Sequence, residues 1–204
     1  MADSTVVRQH VNALVVETRQ RVGLVSKGVG LLWATELVDR ALFSGGLDQY
    51  GVHPRSLMGL AGVLFAPFLH ANWAHLIGNT FAFIPLAFLA SSRRVLDVWV
   101  VSVVGAASAG LGAWLFGDPN SVHVGASGVI FAYLGFLLGR GVFERSVGSV
   151  LLSLFVTFFF GGMLTGVLPV LAGAGISWES HLFGFLGGLL VSKVLGDALR
   201  TRRR

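Results

Sequence analysis

Not one cysteine occurs among the 204 residues, so disulfide staples, thiol nucleophiles and thiolate metal sites are excluded at the outset. Charge is also scarce, at 12% of residues against 54% hydrophobic, and the mean hydropathy is +0.76. That leaves too little polar surface to cover a water-soluble globule of this size, and makes lipid the solvent for most of the chain. Neither an internal repeat nor a low-complexity stretch is visible, apart from the basic end Arg200-Thr-Arg-Arg-Arg204. The net charge of +5 does not indicate a nucleic-acid binder, because the basic residues fall in small groups between apolar runs and at the two ends. The first apolar run follows a polar tail and has no Ala-x-Ala-like cleavage site, so no removable signal peptide is expected.

What the chain does have is six apolar stretches, at residues 22–43, 74–90, 95–116, 125–139, 147–171 and 180–195. Each is read as a membrane-crossing helix, since about 20 residues cross the ~30 Å hydrocarbon core. The expected fold class is an all-α integral membrane protein, a six-helix bundle with a cavity open to the outer face. Residues 22–197 form its one domain, and residues 198–204 form a basic cytoplasmic tail. For residues 1–21, a cytoplasmic N-terminal tail, Val7, Val11, Leu14 and Val15 leave an interfacial helix and a solvated segment both open. Arg8, Arg19, Arg21 and Lys27, then Arg93 and Arg94, Arg140 and Arg145, and Lys193 with the basic end occupy alternate ends of the spans. By the positive-inside bias these ends and both termini are cytoplasmic, in a multi-pass cell-membrane protein. Glu36, Asp39 and Arg40 interrupt the first span; Glu36 and Arg40 are spaced to pair on one helix face, and a structural role is favoured over a substrate-facing one.

Polar side chains inside spans are costly and become functional candidates by default. Here they are His75, Asn79, Ser127 and His181, which fall at the starts of the second, fourth and sixth spans. All three spans run inward, so the four residues lie in one layer near the outer face. His75 and Asn79 share a helix face, with His70 just before them. The fourth span is only ~22 Å long at 1.5 Å per residue, so its start is sunk below the surface, and residues 117–124 descend as irregular backbone, which at this depth must be buried in protein or line a wet cavity, as a hydrolase in a membrane needs. In Gly125-Ala-Ser-Gly128 the serine has almost bare neighbours, and Gly184, Gly187 and Gly188 give the sixth span a matching close-packing face. Packing these faces together would bring His181 to Ser127, where an imidazole could take the hydroxyl proton. Each feature alone has a plainer explanation, close helix packing for the glycine motifs and a proton or ion path for the histidines; their coincidence at one depth does not.

The residues His70-x4-His75-x3-Asn79, Gly125-Ala-Ser127-Gly128 and His181-x-x-Gly184, in this order on these spans, closely resemble the rhomboid intramembrane serine proteases over residues 22–195. The resemblance implies a catalytic Ser127–His181 dyad without a carboxylate. It also implies an oxyanion site from His75, Asn79 and the Ser127 backbone N–H, with His70, Gly125, Gly128, Phe131 and Gly184 in support. Phe131 stands where the family packs an aromatic, often Tyr, against the base. The Trp-Arg pair of well-known bacterial members is missing before His70, where only Arg55 is found. The expected partners are single-span transmembrane substrates and membrane lipid, with no nucleic acid, cofactor or metal. Three rival readings are a catalytically inactive rhomboid-like binder of membrane proteins, a transporter or channel lined by His70, His75, His123 and His181, and a metal site built on the same histidines.

Overall fold

The computed structural model describes residues 4–173 and 175–203. Seven α-helices account for most of them: α1 (Ser4–Val38), α2 (Leu57–Phe65), α3 (Trp73–Ala90), α4 (Val95–Phe116), α5 (Ser127–Phe143), α6 (Val147–Phe160) and α7 (Trp178–Arg203). Among the described residues the only strand-like pairing is an isolated antiparallel bridge between Val52 and His123. Four helical segments are long and apolar enough to cross a membrane: Trp73–Ala90, Val95–Phe116, Val147–Val167 and Trp178–Thr201.

The bundle is organised around α5. Its Ile130, Ala132, Tyr133, Leu134, Phe136 and Leu137 are buried on all sides of the helix, which is how a helix apolar all round is accommodated. On α6 the opposite holds, with Leu151, Leu154, Phe155, Phe158 and Phe159 exposed. In water that patch would drive association; against acyl chains it is ordinary surface. Glycine sets the closest approach of the central helices. A Cβ on Gly184 would collide with the Gly128 carbonyl, one on Gly188 with the Ala132 carbonyl, and one on Gly135 with the Phe185 carbonyl. The α5 and α7 backbones therefore touch, as small residues allow when no hydrophobic force separates lipid from protein contacts.

Several boundaries differ from those read in the sequence. Helix α1 includes residues 4–21 without interruption and gives way to a π-helical turn, Asp39–Phe43. Helix α5 starts at Ser127 rather than 125, because Gly125 adopts φ +119°. Helix α6 ends at Phe160, and a 3-10 segment, Gly161–Val167, completes its length. Helix α7 extends well past residue 195, through residues 198–203.

Helix α2 was not anticipated. Its nine residues, followed by a 3-10 turn at Ala66–Phe68, are too few to cross the membrane. This segment is seated without a Trp-Arg pair. Arg55 donates to the carbonyls of Leu115 and Gly117 at 2.9 Å each, while the Trp114 indole donates to Ser56 O at 2.8 Å. At the opposite end of the bundle Arg93 pairs with Asp97 at 2.8 Å and Glu144 at 3.2 Å, and Arg140 pairs with Glu144 at 2.9 Å.

Candidate active site

Ser127 is the first residue of α5 and is half-buried. The chain reaches it through Gly125, whose positive φ suits a residue without a Cβ. A Cβ there would also lie 2.6 Å from His75 Cε1 and 3.3 Å from Asn79 Nδ2. Thus His75 and Asn79, one turn apart on α3, both reach the backbone just ahead of Ser127. Helix α3 is itself capped: Asn72 Oδ1 accepts from His75 N at 2.9 Å, satisfying one of the free donors of a helix start. The amide Nδ2 of Asn79 is buried with no partner. An orphaned donor of this kind costs about 1–3 kcal/mol unless something accepts from it.

His181 lies on α7 and is 8% exposed. Its Nδ1 is 3.1 Å from the carbonyl oxygen of Gly166. A carbonyl can only accept, so this contact assigns the ring proton to Nδ1 and leaves Nε2 as a proton acceptor. The ring also stacks on Phe131, with centroids 4.1 Å apart and planes at 14°; Phe131 is one helical turn beyond Ser127. A Cβ on Gly166 would come 3.1 Å from His181 Nδ1 and 3.2 Å from Phe131 Cζ, so that glycine leaves the imidazole its place.

The serine and histidine motifs meet through their neighbours. A Cβ on Gly128 would be 3.5 Å from the Ser180 carbonyl, and Gly184 rests on Gly128 as described above. Ser127 Oγ and His181 are not hydrogen-bonded to each other, and catalytic hydrogen bonds often tighten only when substrate is bound. His70 is fully buried, edge-on to His75 with ring centroids 5.2 Å apart, and neither of its ring nitrogens has a partner.

Beside Ser127 lies a cavity of about 30 Å³ whose lining includes Gly125, Gly128, His123, Ser177 and Ser180, room for roughly one water molecule. The sequence points to His123 only as part of the channel alternative, and does not single out Ser177. They are joined by a 2.6 Å contact from His123 Nδ1 to Ser177 Oγ, and His123 Nε2 is 2.8 Å from Ser121 Oγ. Burial holds the His123 imidazole below its ordinary value, opposed by the nearby Glu179 and Asp118 carboxylates. The only sign of this in the sequence was a polar loop ending in a histidine two residues before Gly125. Among the described residues, no group of three or more His, Asp or Glu side chains is arranged to hold a metal ion.

Together these features define a polytopic membrane protein whose buried polar side chains gather where α3, α5 and α7 begin. Residues 44–198 match the Rhomboid domain family, and the chain belongs to the rhomboid family, a family of intramembrane proteases. It is 40% identical over 185 residues to an uncharacterized protein of Mycobacterium tuberculosis, covering 86% of this chain and 75% of that one. A Mycobacterium leprae protein, also uncharacterized, is 36% identical over 200 residues, covering 92% of this chain and 78% of the relative. A Bacillus subtilis protein named "Putative rhomboid protease YdcA" is 32% identical over 130 residues, 61% of each chain.

Proposed function

We propose that the protein is an intramembrane serine endopeptidase that hydrolyses peptide bonds in or near the transmembrane segments of single-span membrane proteins. The observation that carries this reading is the meeting of three motifs around Gly125–Gly128, with His75 and Asn79 on one side and His181 against Phe131 on the other. In this reading α1, α3, α4, α5, α6 and α7 are six spans, with both termini cytoplasmic. The site then opens towards the outer face of the cell membrane.

A substrate helix must unwind locally, because a hydrogen-bonded helix shields its own amides. Ser127 Oγ attacks the exposed carbonyl carbon while His181 Nε2 takes its proton. The amide oxygen becomes an oxyanion held by His75, by the unpartnered Asn79 Nδ2 and by the Ser127 backbone N–H. Donors already aimed at such a charge need no reorganisation, and removing one costs on the order of 10²–10³ in rate. His181 then protonates the leaving amine, and water releases the acyl group.

The test is fluorophosphonate labelling of the detergent-purified protein beside Ser127→Ala and His181→Ala. Labelling of the wild type that vanishes in both variants supports the dyad. A well-folded wild type that never labels returns the site to a non-proteolytic role, either binding of membrane proteins or ion passage, and a liposome flux assay separates those two.

A further inference from the structure

The outer end of α1 carries polar groups that the proposed reaction does not use. Glu36 and Asp39 are each 1% exposed, and one oxygen of each, Glu36 Oε2 and Asp39 Oδ2, has no hydrogen-bond partner. Buried carboxylates in a membrane protein are expensive, so their retention calls for a use. The helix loosens here into the π turn Asp39–Phe43, a feature often found at functional sites. It is closed by Ser44 and Gly45, both with positive φ. A Cβ on Gly45 would come 2.6 Å from Arg40 Nη1, so this glycine makes room for the guanidinium.

Arg40 uses that room to span two elements. Its Nε donates to Glu36 Oε1 at 2.8 Å, while Nη2 donates to the carbonyls of Ala71 at 2.7 Å and His70 at 3.3 Å. Those carbonyls belong to the seven-residue connection 66–72, which is tied at three points. Ala66 O accepts from Gly125 N at 2.8 Å, just ahead of Ser127. Asn72 caps α3 through His75 N. Between the two, Arg40 holds His70 and Ala71 to α1.

We propose that Arg40, anchored by Glu36, is a positioning residue for the oxyanion side of the site, fixing the 66–72 connection and through it the placement of His75 and Asn79 relative to Ser127. The proposal rests on the protease reading. Lysine would be a poor replacement, because one ammonium lacks the planar fork that serves a carboxylate and two carbonyls at once. Misplacing a catalytic group by 1 Å can cost ~10²-fold in rate, so an effect of about 10- to 100-fold on the chemical step is expected without contact between Arg40 and substrate.

The probe is a fluorophosphonate, which needs no knowledge of the natural substrate. Ser127 Oγ forms a bond to phosphorus, fluoride departs with the P–F electron pair, His181 takes the hydroxyl proton, and the phosphoryl oxygen occupies the oxyanion site. Saturation kinetics separate the limiting labelling rate from the probe's apparent affinity. Arg40→Ala is expected to lower the limiting rate ~10- to 100-fold with affinity within about twofold, and Arg40→Lys to recover only part of the loss. Combining Arg40→Ala with Asn79→Ala should give clearly less than the product of the two single losses, because both act on the same oxyanion. A merely structural Arg40 would instead multiply with Asn79→Ala, and that result overturns the proposal. So does a wild-type rate in Arg40→Ala. Should Arg40→Ala fail to fold, Glu36→Gln retains the arginine but weakens its anchor, and a folded Glu36→Gln with the full wild-type rate also overturns it. A wild type that does not label removes the protease reading and this proposal together; a wild type that labels while the Arg40 predictions fail removes this proposal alone.

Discussion

Substituting Gly184 by alanine tests the central packing that aligns the candidate dyad. The added Cβ would lie well over 1 Å inside ordinary van der Waals distance of the Gly128 carbonyl oxygen, and 3.0 Å from its carbon. Both partners are backbone, so no side-chain rotation can relieve the overlap. Helix α7 must instead move off α5 by roughly the depth of the overlap, carrying His181, one turn earlier, away from the end of α5. Overpacking of this kind costs about 1–3 kcal/mol of stability. A displacement of about 1 Å or more at the base should lower the limiting fluorophosphonate labelling rate ~10²-fold. The measurement pairs labelling with thermal unfolding in the same detergent. Gly30→Ala is the control, because a Cβ there meets nothing within 4 Å and should only improve helix propensity by about 1 kcal/mol. If Gly184→Ala labels at the wild-type rate with an unchanged midpoint, α5 and α7 are not in backbone contact and the proposed alignment of Ser127 with His181 loses its structural basis.

Phe131→Leu should slow labelling by up to about 10-fold, the equivalent of the ~0.5–1.5 kcal/mol carried by a well-stacked aromatic pair; an unchanged rate would mean that the stacking does not orient the base. Glu144→Gln leaves Arg93 and Arg140 without their shared carboxylate, and should lower stability by about 3–5 kcal/mol while the labelling rate below the unfolding transition stays intact. For Asp48, burial first, and then Asp39 and Glu36, push the carboxyl from its ordinary 3.8 up to about 6. The folded protein therefore holds this proton more tightly than the unfolded chain. The resulting stabilisation is present below about pH 4 and is lost as pH rises through about 6. Asp48→Asn should raise the unfolding midpoint at pH 7 and flatten its change between these limits; a variant melting like wild type across the range would contradict the assignment.

Much of the fold is visible in the sequence because lipid imposes a length rule. The third span, 95–116, coincides with α4, and the second differs from α3 by one residue. The same rule hides α2, since nine apolar residues fall below any spanning threshold, although Leu57–Phe65 is plainly apolar. It also overextends the fifth span, where a charge-free run carrying Gly161, Gly162 and Gly166 turns into a 3-10 segment that ends at Val167. At the site, the spacing of His75 and Asn79 announces a shared face, and Gly184 with Gly188 announces a close crossing. What local spacing does not show is contact between loops. His123 meets Ser177 across 54 residues, and Arg40 finds the carbonyls of His70 and Ala71 across 30 and 31. Neither pairing has a period, because each depends on where a connection between helices crosses a segment distant in sequence.

The partner of His181 Nδ1 bears on why the proposed dyad needs no acid. In water-exposed serine hydrolases a carboxylate commonly holds the imidazole tautomer. Here the Gly166 carbonyl makes the corresponding contact at 3.1 Å, and stacking on Phe131 restrains the ring plane. A neutral acceptor avoids burying a third charge in a low-dielectric bundle, at the expense of the extra stabilisation a carboxylate would give the imidazolium. It also makes orientation of the base depend on the 3-10 segment after α6, the helix with the most exposed apolar face. Displacing that segment would leave the Nδ1 proton without its acceptor, so the geometry of the base and the seating of α6 belong to one packing unit.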